Sequence, residues 1–324
     1  MKIAFHGSNA ETFRIGFEDH LDQVDNFELL ALSDNLTDPS DLSHFETADV
    51  IVGTAFGSAQ PRPHSLRLYH VPGAGVDSIN ADLLPDGARL CNCFGHEHAI
   101  AEYVMTALLQ RVVPLADADN RLRQSEWRYW AGRSDALRPE LFGQTIGLLG
   151  FGHIGQAIAV RAKAFGMRVL VANRTRPSER DIVDRSFSLE ELPAFMAAAD
   201  AVVVSLPLNE ATSGMVGGAE LNALRSHAVI VNVGRGQVIS EQALFDALSK
   251  KSISGAIIDT WYQYPAGANH KAEPSRLPFH ELDNVVMTPH MSGWTTGTVR
   301  RRQATIAENI RRLSSGEALL NQVR

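Results

Sequence analysis

Residues 145–176, TIGLLGFGHIGQAIAVRAKAFGMRVLVANRTR, decide the fold. Residues 145–150 are a short apolar run of the kind that forms a parallel strand covered on both faces. Gly150, Gly152 and Gly155 then give G-x-G-x-x-G, and Ile154, Ile158, Ala162 and Phe165 follow at helical spacing. Gly166 closes the helix and residues 167–172 read as a second strand. Strand, glycine turn, helix and strand in this order make a dinucleotide-binding unit. Gly150 permits the tight turn, Gly152 lets the backbone approach a pyrophosphate, and Gly155 lets the helix pack on the strand. The amides of His153 and Ile154, at the helix start, have no carbonyl of their own turn and suit an anion.

The end of the second strand bears on which dinucleotide. An acid about 20 residues after the glycines holds the ribose hydroxyls of NAD, whereas arginine suits the 2′-phosphate of NADP. Here the chain reads Asn173, Arg174, Thr175, Arg176. Asn173 removes a carboxylate that would repel a phosphate, and Arg174 and Arg176 offer charge-assisted, bidentate bonds to one. The expectation is NADP(H) in preference to NAD(H).

At 324 residues the chain has room for two domains, and 44% hydrophobic with 21% charged residues suits sizeable cores. A net charge of −7 speaks against general affinity for nucleic acid or an anionic membrane. No stretch reaches the roughly 18 apolar residues of a membrane span. The start, MKIAFHG, reads as a strand and not as a signal peptide. Cys91 and Cys93 form a C-x-C pair, which is no disulfide framework. These features point to a cytoplasmic protein.

Residues 1–95 alternate short strands (2–5, 26–31, 50–53 and 66–71) with polar or amphipathic stretches, which predicts a small α/β unit. The loop after the fourth strand, Val71-Pro72-Gly73-Ala74-Gly75-Val76-Asp77, has two glycines that leave backbone amides available for an anion. His96 and His98 stand two apart at the start of a long helix over 99–119. They do not share a helix face and lack a third ligand at zinc-type spacing, so no metal is expected. That helix is apolar nearly all round between Tyr103 and Leu115, which predicts burial. Trp127, Tyr129 and Trp130 follow in an irregular arm. Helices at 188–199, 218–224 and 240–248 alternate with strands at 200–206, 228–233 and 254–258, continuing a doubly wound sheet over 96–292. A basic amphipathic helix from 295 to 313 is expected to return over the first domain, with Arg300, Arg301, Arg302, Arg311 and Arg312 as a solvated face. The fold class is therefore α/β, with two Rossmann-like parallel-sheet domains: 1–95 plus 293–324 for substrate, and the larger, 96–292, for the dinucleotide.

Several strand ends can be read together: residues 71–77, the glycine turn, Asn232-Val233-Gly234-Arg235-Gly236, Ile258-Asp259 and Thr288-Pro289-His290. Their order and spacing resemble the D-isomer-specific 2-hydroxyacid dehydrogenase family over nearly the whole chain, most strongly from 143 to 293. Arg235, just after a strand, can hold a carboxylate and an adjacent carbonyl oxygen. Imidazole in general titrates near neutrality, so a histidine at 290 suits donating a proton in reduction or removing one in oxidation. The resemblance further implies that Gly73, Ala74 and Gly75 present amides to the substrate carboxylate. It implies that Asp259 faces the nicotinamide carboxamide, that Pro207, Thr212 and Val233 line the cofactor, and that the protein is a homodimer. The implied activity is hydride transfer between NADP(H) and a small D-2-hydroxy or 2-oxo acid, glyoxylate or hydroxypyruvate first. Two other readings stay open: a dinucleotide-dependent sensor like the family's corepressors, and a formate- or phosphite-type anion dehydrogenase.

One departure stands out. The family's Glu in an E-P pair is replaced here by Tyr264, before Pro265. A neutral Tyr hydroxyl can orient His290 but cannot favour its charged form as a carboxylate does. Three explanations follow: a His–Tyr pair with reduction favoured at lower pH, another acid (Glu273 or Glu281) reaching His290, or weakened catalysis in a protein that mainly binds.

Overall fold

A computed structural model describes residues 1–22, 24–177, 182–265 and 271–324. The chain divides into two compact units, Met1–His96 with Trp294–Arg324, and Glu97–Gly293.

The first unit is built on five parallel strands: β1 (Lys2–His6), β2 (Glu28–Leu32), β3 (Val50–Gly53), β4 (Leu68–His70) and β5 (Arg89–Cys91), in the order β2-β1-β3-β4-β5. The expected strand over 66–71 shrinks to three residues, and β5, equally short, has too few residues to show a period. The C-terminal helix, Thr296–Ser315, is capped by the Thr295 hydroxyl, which accepts from the Thr298 amide, and ends on Gly316 at φ 72°. Both ends follow the ordinary helix start and stop rules. Its inner stripe, Ile306, Ala307, Ile310 and Leu313, packs with Ile3, Phe5, Phe13 and Phe17. Each large apolar side chain so buried contributes about 1.5–3 kcal/mol, which fixes this terminal helix to the first unit.

The basic face expected on that helix needs correction. Arg302 is only 9% exposed and points inward. Arg301 donates to the Gly95 carbonyl at 2.7 Å, and Arg311 and Arg312 both pair with Glu308. Spacing of four from Ile306 puts Arg302, and not Arg301, on the inner stripe.

The second unit carries seven parallel strands: β6 (Thr145–Leu149), β7 (Arg168–Ala172), β8 (Arg185–Phe187), β9 (Ala201–Val204), β10 (Val229–Asn232), β11 (Gly255–Ile258) and β12 (Val285–Met287). Their order is β12-β11-β10-β9-β6-β7-β8. The chain runs outward from β6 in one direction and from β9 in the other, so the strand order reverses between them, and a crevice opens there at the carboxyl ends. All five residues of β6 are buried. Alternate residues feed opposite cores: Leu149, Val204, Ile230 and Ile258 on one face, and Leu148, Val203, Val231 and Ile257 on the other.

Two helices differ from expectation. The span 99–119 is two helices, Glu97–Val112 and Leu115–Arg123, bent by 47°. Pro114 lies at the break and has no amide to continue the hydrogen-bond ladder. The first helix buries one face, through Ile100, Val104, Met105 and Leu108, while Leu115 is 74% exposed; burial all round is not observed. The helix expected over 188–199 begins as a 3-10 turn, Leu189–Glu191, and continues as Leu192–Ala198. Among the described residues no single helix is long and apolar enough to cross a membrane.

Candidate active site

In the second unit, Gly150 lies at φ 102°, a conformation that favours glycine, directly after β6. A side chain on Gly155 would stand 2.4 Å from the Gly150 carbonyl, so the helix His153–Ala164 can approach the strand only with glycine there. Beyond Gly152, by contrast, no atom lies within 4 Å of where a Cβ would be. That open space adjoins the first amides of the helix, His153 exposed and Ile154 half-buried, and suits a pyrophosphate. A cavity of about 490 Å³ continues from it, lined by Phe151, Gln156, Asn173, Thr175, Arg176 and Val183 among others. The residues present therefore fit a dinucleotide.

Asn173 works as a bracket at the end of β7. Its Oδ1 accepts from the Phe151 amide at 3.3 Å and its Nδ2 donates to the Thr175 carbonyl at 2.9 Å, locking the glycine turn to the segment that follows. Arg174 is exposed. Arg176 is also exposed, and its guanidinium donates to Glu191. Glu191 also accepts from the Ser188 amide at 2.8 Å and hydroxyl at 3.0 Å. The Ser188 amide and hydroxyl, followed by Arg176, hold the Glu191 carboxyl below the usual carboxylate range.

The loops after β9 and β10 stand beside this turn. Pro207 is exposed after β9, and the buried Thr212 hydroxyl donates to its carbonyl at 2.6 Å, folding the 207–212 loop on itself. Val233 is buried just past β10. Arg235 follows in extended conformation and half-buried, its Nη1 donating to the Gly234 carbonyl at 2.9 Å. The Asn232 side chain ties both ends of the turn, accepting from the Gly234 amide at 3.2 Å and donating to the Arg235 carbonyl at 3.0 Å. Side chains on Gly234 or Gly236 would run into the Leu206 and Trp261 carbonyls, at 2.7 and 2.3 Å.

His290 sits past β12 at φ 57°, an uncommon value for a residue with a side chain and one found at functional sites. Its turn is held at several points. Asp259, fully buried, accepts from the Thr288 hydroxyl at 2.6 Å and from the Met291 and Ser292 amides, each at 2.9 Å. The Trp261 indole donates to the Thr288 carbonyl at 2.8 Å, and the Tyr103 hydroxyl lies 2.7 Å from that of Thr288. Burial pushes the Tyr103 phenol up, so it stays neutral. Both oxygens of Asp259 thus fix the His290 turn.

The Tyr264 hydroxyl stands 3.0 Å from His290 Nδ1 and accepts from the Trp261 amide at 3.0 Å. A hydroxyl serves both states of the ring, donating to a neutral Nδ1 and accepting from Nδ1–H of the imidazolium. Of the acids considered in its place, Glu273 stands 4.0 Å from His280. Among the described residues no three His, Cys, Asp or Glu side chains converge as a metal would require.

In the first unit, the loop bearing Gly73, Ala74 and Gly75 follows β4. The Gly73 carbonyl accepts from the Cys93 amide at 3.0 Å, the Ala74 carbonyl from Asn92 Nδ2 at 2.8 Å, and the Pro72 carbonyl from Arg302 Nη1 at 3.0 Å. Sequence reading missed Arg302, Asn92, Tyr103 and Glu191. For Arg302 a signal existed: it stands four residues before Ile306, on the same helical stripe.

Residues 105–292 match the D-isomer specific 2-hydroxyacid dehydrogenase, NAD binding domain, family. A glyoxylate reductase of Korarchaeum cryptofilum is 30% identical over 297 residues, covering 90% of this chain and 82% of that protein. One from Thermococcus gammatolerans is 35% identical over 228 residues, 68% of this chain and 64% of the reductase. A D-isomer specific 2-hydroxyacid dehydrogenase family protein from Aeromonas salmonicida superposes with TM-score 0.80 at 24% identity, covering 100% and 98% of the two chains. The NADPH-dependent glyoxylate/hydroxypyruvate reductase of Sinorhizobium meliloti, in complex with NADP and sulfate, does so with TM-score 0.78 at 23% identity, covering 99% and 97%. These two structures speak for the fold, and the family match and the sequence relatives speak for kinship. The chain belongs to the D-isomer specific 2-hydroxyacid dehydrogenase family and is a dehydrogenase of the 2-oxo and 2-hydroxy acid class.

Proposed function

We propose that the chain is an NADP(H)-preferring reductase of small 2-oxo acids, with glyoxylate and hydroxypyruvate as first substrates. The observation that carries this reading is the pinned His290 turn with the Tyr264 hydroxyl on Nδ1. With Nδ1 so engaged, Nε2 is the nitrogen that hands a proton to the carbonyl oxygen as it becomes an alkoxide. NADPH, when bound, would supply the hydride. Arg235 polarises the carbonyl and holds the carboxylate, and the amides of Gly73, Ala74 and Gly75 take a carboxylate oxygen. In this reading the first unit is the substrate domain and the second the dinucleotide domain.

The NADP(H) preference is supported by the absence of an acid at Asn173, by Arg174 and Arg176 after it, and by the cavity that Asn173 and Arg176 line. Gly150, Gly152 and Gly155 with the amides of His153 and Ile154 would hold the pyrophosphate, and Thr175, Pro207, Thr212, Val233 and Asp259 follow strands of the same sheet at its carboxyl end. The named activity of the Korarchaeum and Thermococcus relatives supports the substrate class. Trp127, Trp130 and Leu137, at 62, 57 and 89% exposed, support a homodimer formed through this arm. Two free, buried cysteines suit the reducing cytoplasm. The test is steady-state turnover of glyoxylate and hydroxypyruvate with each cofactor. A higher kcat/KM with NADPH is expected; equal values, or preference for NADH, would remove the cofactor assignment.

A further inference from the structure

We propose that Arg302, on the C-terminal helix, is a positioning residue for the anion-binding loop 73–75, aiming its amides by holding the Pro72 carbonyl. In a trans peptide the C=O and the following N–H point in opposite directions. Three successive carbonyls of this loop are held from the protein side: Pro72 by Arg302 Nη1 at 3.0 Å, Gly73 by the Cys93 amide at 3.0 Å, and Ala74 by Asn92 at 2.8 Å. The three amides paired with them across the peptide planes, those of Gly73, Ala74 and Gly75, therefore face the other way. Among the described residues none of the three donates a hydrogen bond. The result is a row of convergent donors, the kind of concavity that binds an anion.

Arg302 anchors the first peptide of the row. It is 9% exposed, and its Nε donates to the Phe94 carbonyl at 3.3 Å, so one guanidinium bridges the segments after β4 and β5. A guanidinium stays charged when buried. Its charge is felt at the Cys93 thiol, where it opposes the burial that pushes that group up to about 12. Arg302 thus supplies geometry to the loop and positive potential behind it, both of which favour a bound carboxylate.

This inference rests on the loop being the carboxylate site, and the experiment separates the two. The full chain is compared with R302M and R302K. Three quantities are read: KM and kcat for glyoxylate at saturating NADPH, the Kd of NADPH by fluorescence, and the Kd of oxalate for the NADPH-loaded protein by calorimetry. For R302M, loss of a charge-assisted bond predicts an increase of about tenfold in both the glyoxylate KM and the oxalate Kd. kcat should stay within about twofold and NADPH affinity should not change. R302K keeps the charge with fewer donors and should show about a threefold increase. Unchanged oxalate affinity in folded R302M overturns the proposal, as does a parallel loss of kcat, KM and NADPH affinity. If R302M does not fold, unchanged oxalate affinity in R302K overturns it. A wild-type protein that neither binds oxalate nor reduces any 2-oxo acid overturns the reading of the loop itself, and the proposal with it.

Discussion

Replacing Tyr264 by Phe removes a single hydroxyl from the candidate acid–base pair. Tyr264 is 49% exposed, so the fold loses little. What is lost is the contact at 3.0 Å to His290 Nδ1, which the Trp261 amide supports from 3.0 Å. A hydrogen bond to a charged partner contributes about 1.5–3 kcal/mol, and half-exposure places this one at the lower end. About 1.4 kcal/mol is a factor of ten in rate. Y264F should therefore lower kcat for glyoxylate reduction about tenfold and leave NADPH affinity unchanged. The companion variant Y264E tests the sign of the electrostatics. Reduction needs the imidazolium, so the rate falls as pH rises through the His290 titration. A carboxylate beside the ring favours the charged form, so in Y264E this limb should move to higher pH by about one unit. The assay is kcat against pH for the three proteins under saturating substrates. A kcat for Y264F within twofold of wild type across the pH range would refute the His290–Tyr264 pair as the working acid.

Glu191 pairs with Arg176. E191Q keeps the bonds from Ser188 but not the charge, and should tighten 2′,5′-ADP binding by up to about fivefold, the range of an exposed ion pair, with NADH affinity unchanged. R176A should weaken 2′,5′-ADP binding by about tenfold, and equal binding by wild type and R176A would end the phosphate role. His70 is fully buried, and desolvation lowers its pKa to about 4, against a backbone bond to Val71 that acts to raise it. The folded pKa lies below the unfolded 6.5, so this stability is full above pH 6.5 and is lost as pH falls toward 4. The loss amounts to about 3 kcal/mol at 1.36 kcal/mol per unit. Denaturant titrations should show that slope in the wild type and a flatter one in H70N; equal slopes would assign acid lability to other groups. The double variant Trp127→Glu, Trp130→Glu should convert a dimer to monomer in light scattering, and an unchanged mass would move the interface elsewhere.

Much of this was legible in the chain because the relevant forces are local. The glycines at 150, 152 and 155 and the apolar run before them follow from turn sterics and from covering a strand on both faces. The same reasoning placed Arg235 and His290 after strands. Tyr264 stands out only through the family resemblance, as the residue in place of the E-P glutamate, and no spacing rule says that the Trp261 amide would steady its hydroxyl. Other features depend on partners far along the chain. Arg302 meets Pro72 and Phe94 across more than two hundred residues, so its place on the Ile306 stripe tells that it is buried but not what it holds. The bonds of Asp259 to the 288–292 turn join residues about thirty positions apart, which spacing along the chain does not show. Three-residue strands such as β5 and β8 are too short for periodicity to register. At Pro114 the chain passes from an apolar helix to the polar LADADNRLR, and the missing proline amide breaks the ladder there.

The central claim is that Arg235 and His290 work on a small 2-oxo acid. The most direct measurement is the rate of NADPH oxidation with glyoxylate by wild type and by Arg235→Ala. The account predicts steady turnover in the wild type. It predicts a loss of at least about 100-fold in kcat/KM in the variant, the cost of two charge-assisted bonds, with NADPH binding retained. Cofactor binding without turnover across glyoxylate, hydroxypyruvate and other small 2-oxo acids, or turnover that survives the loss of Arg235, would contradict it.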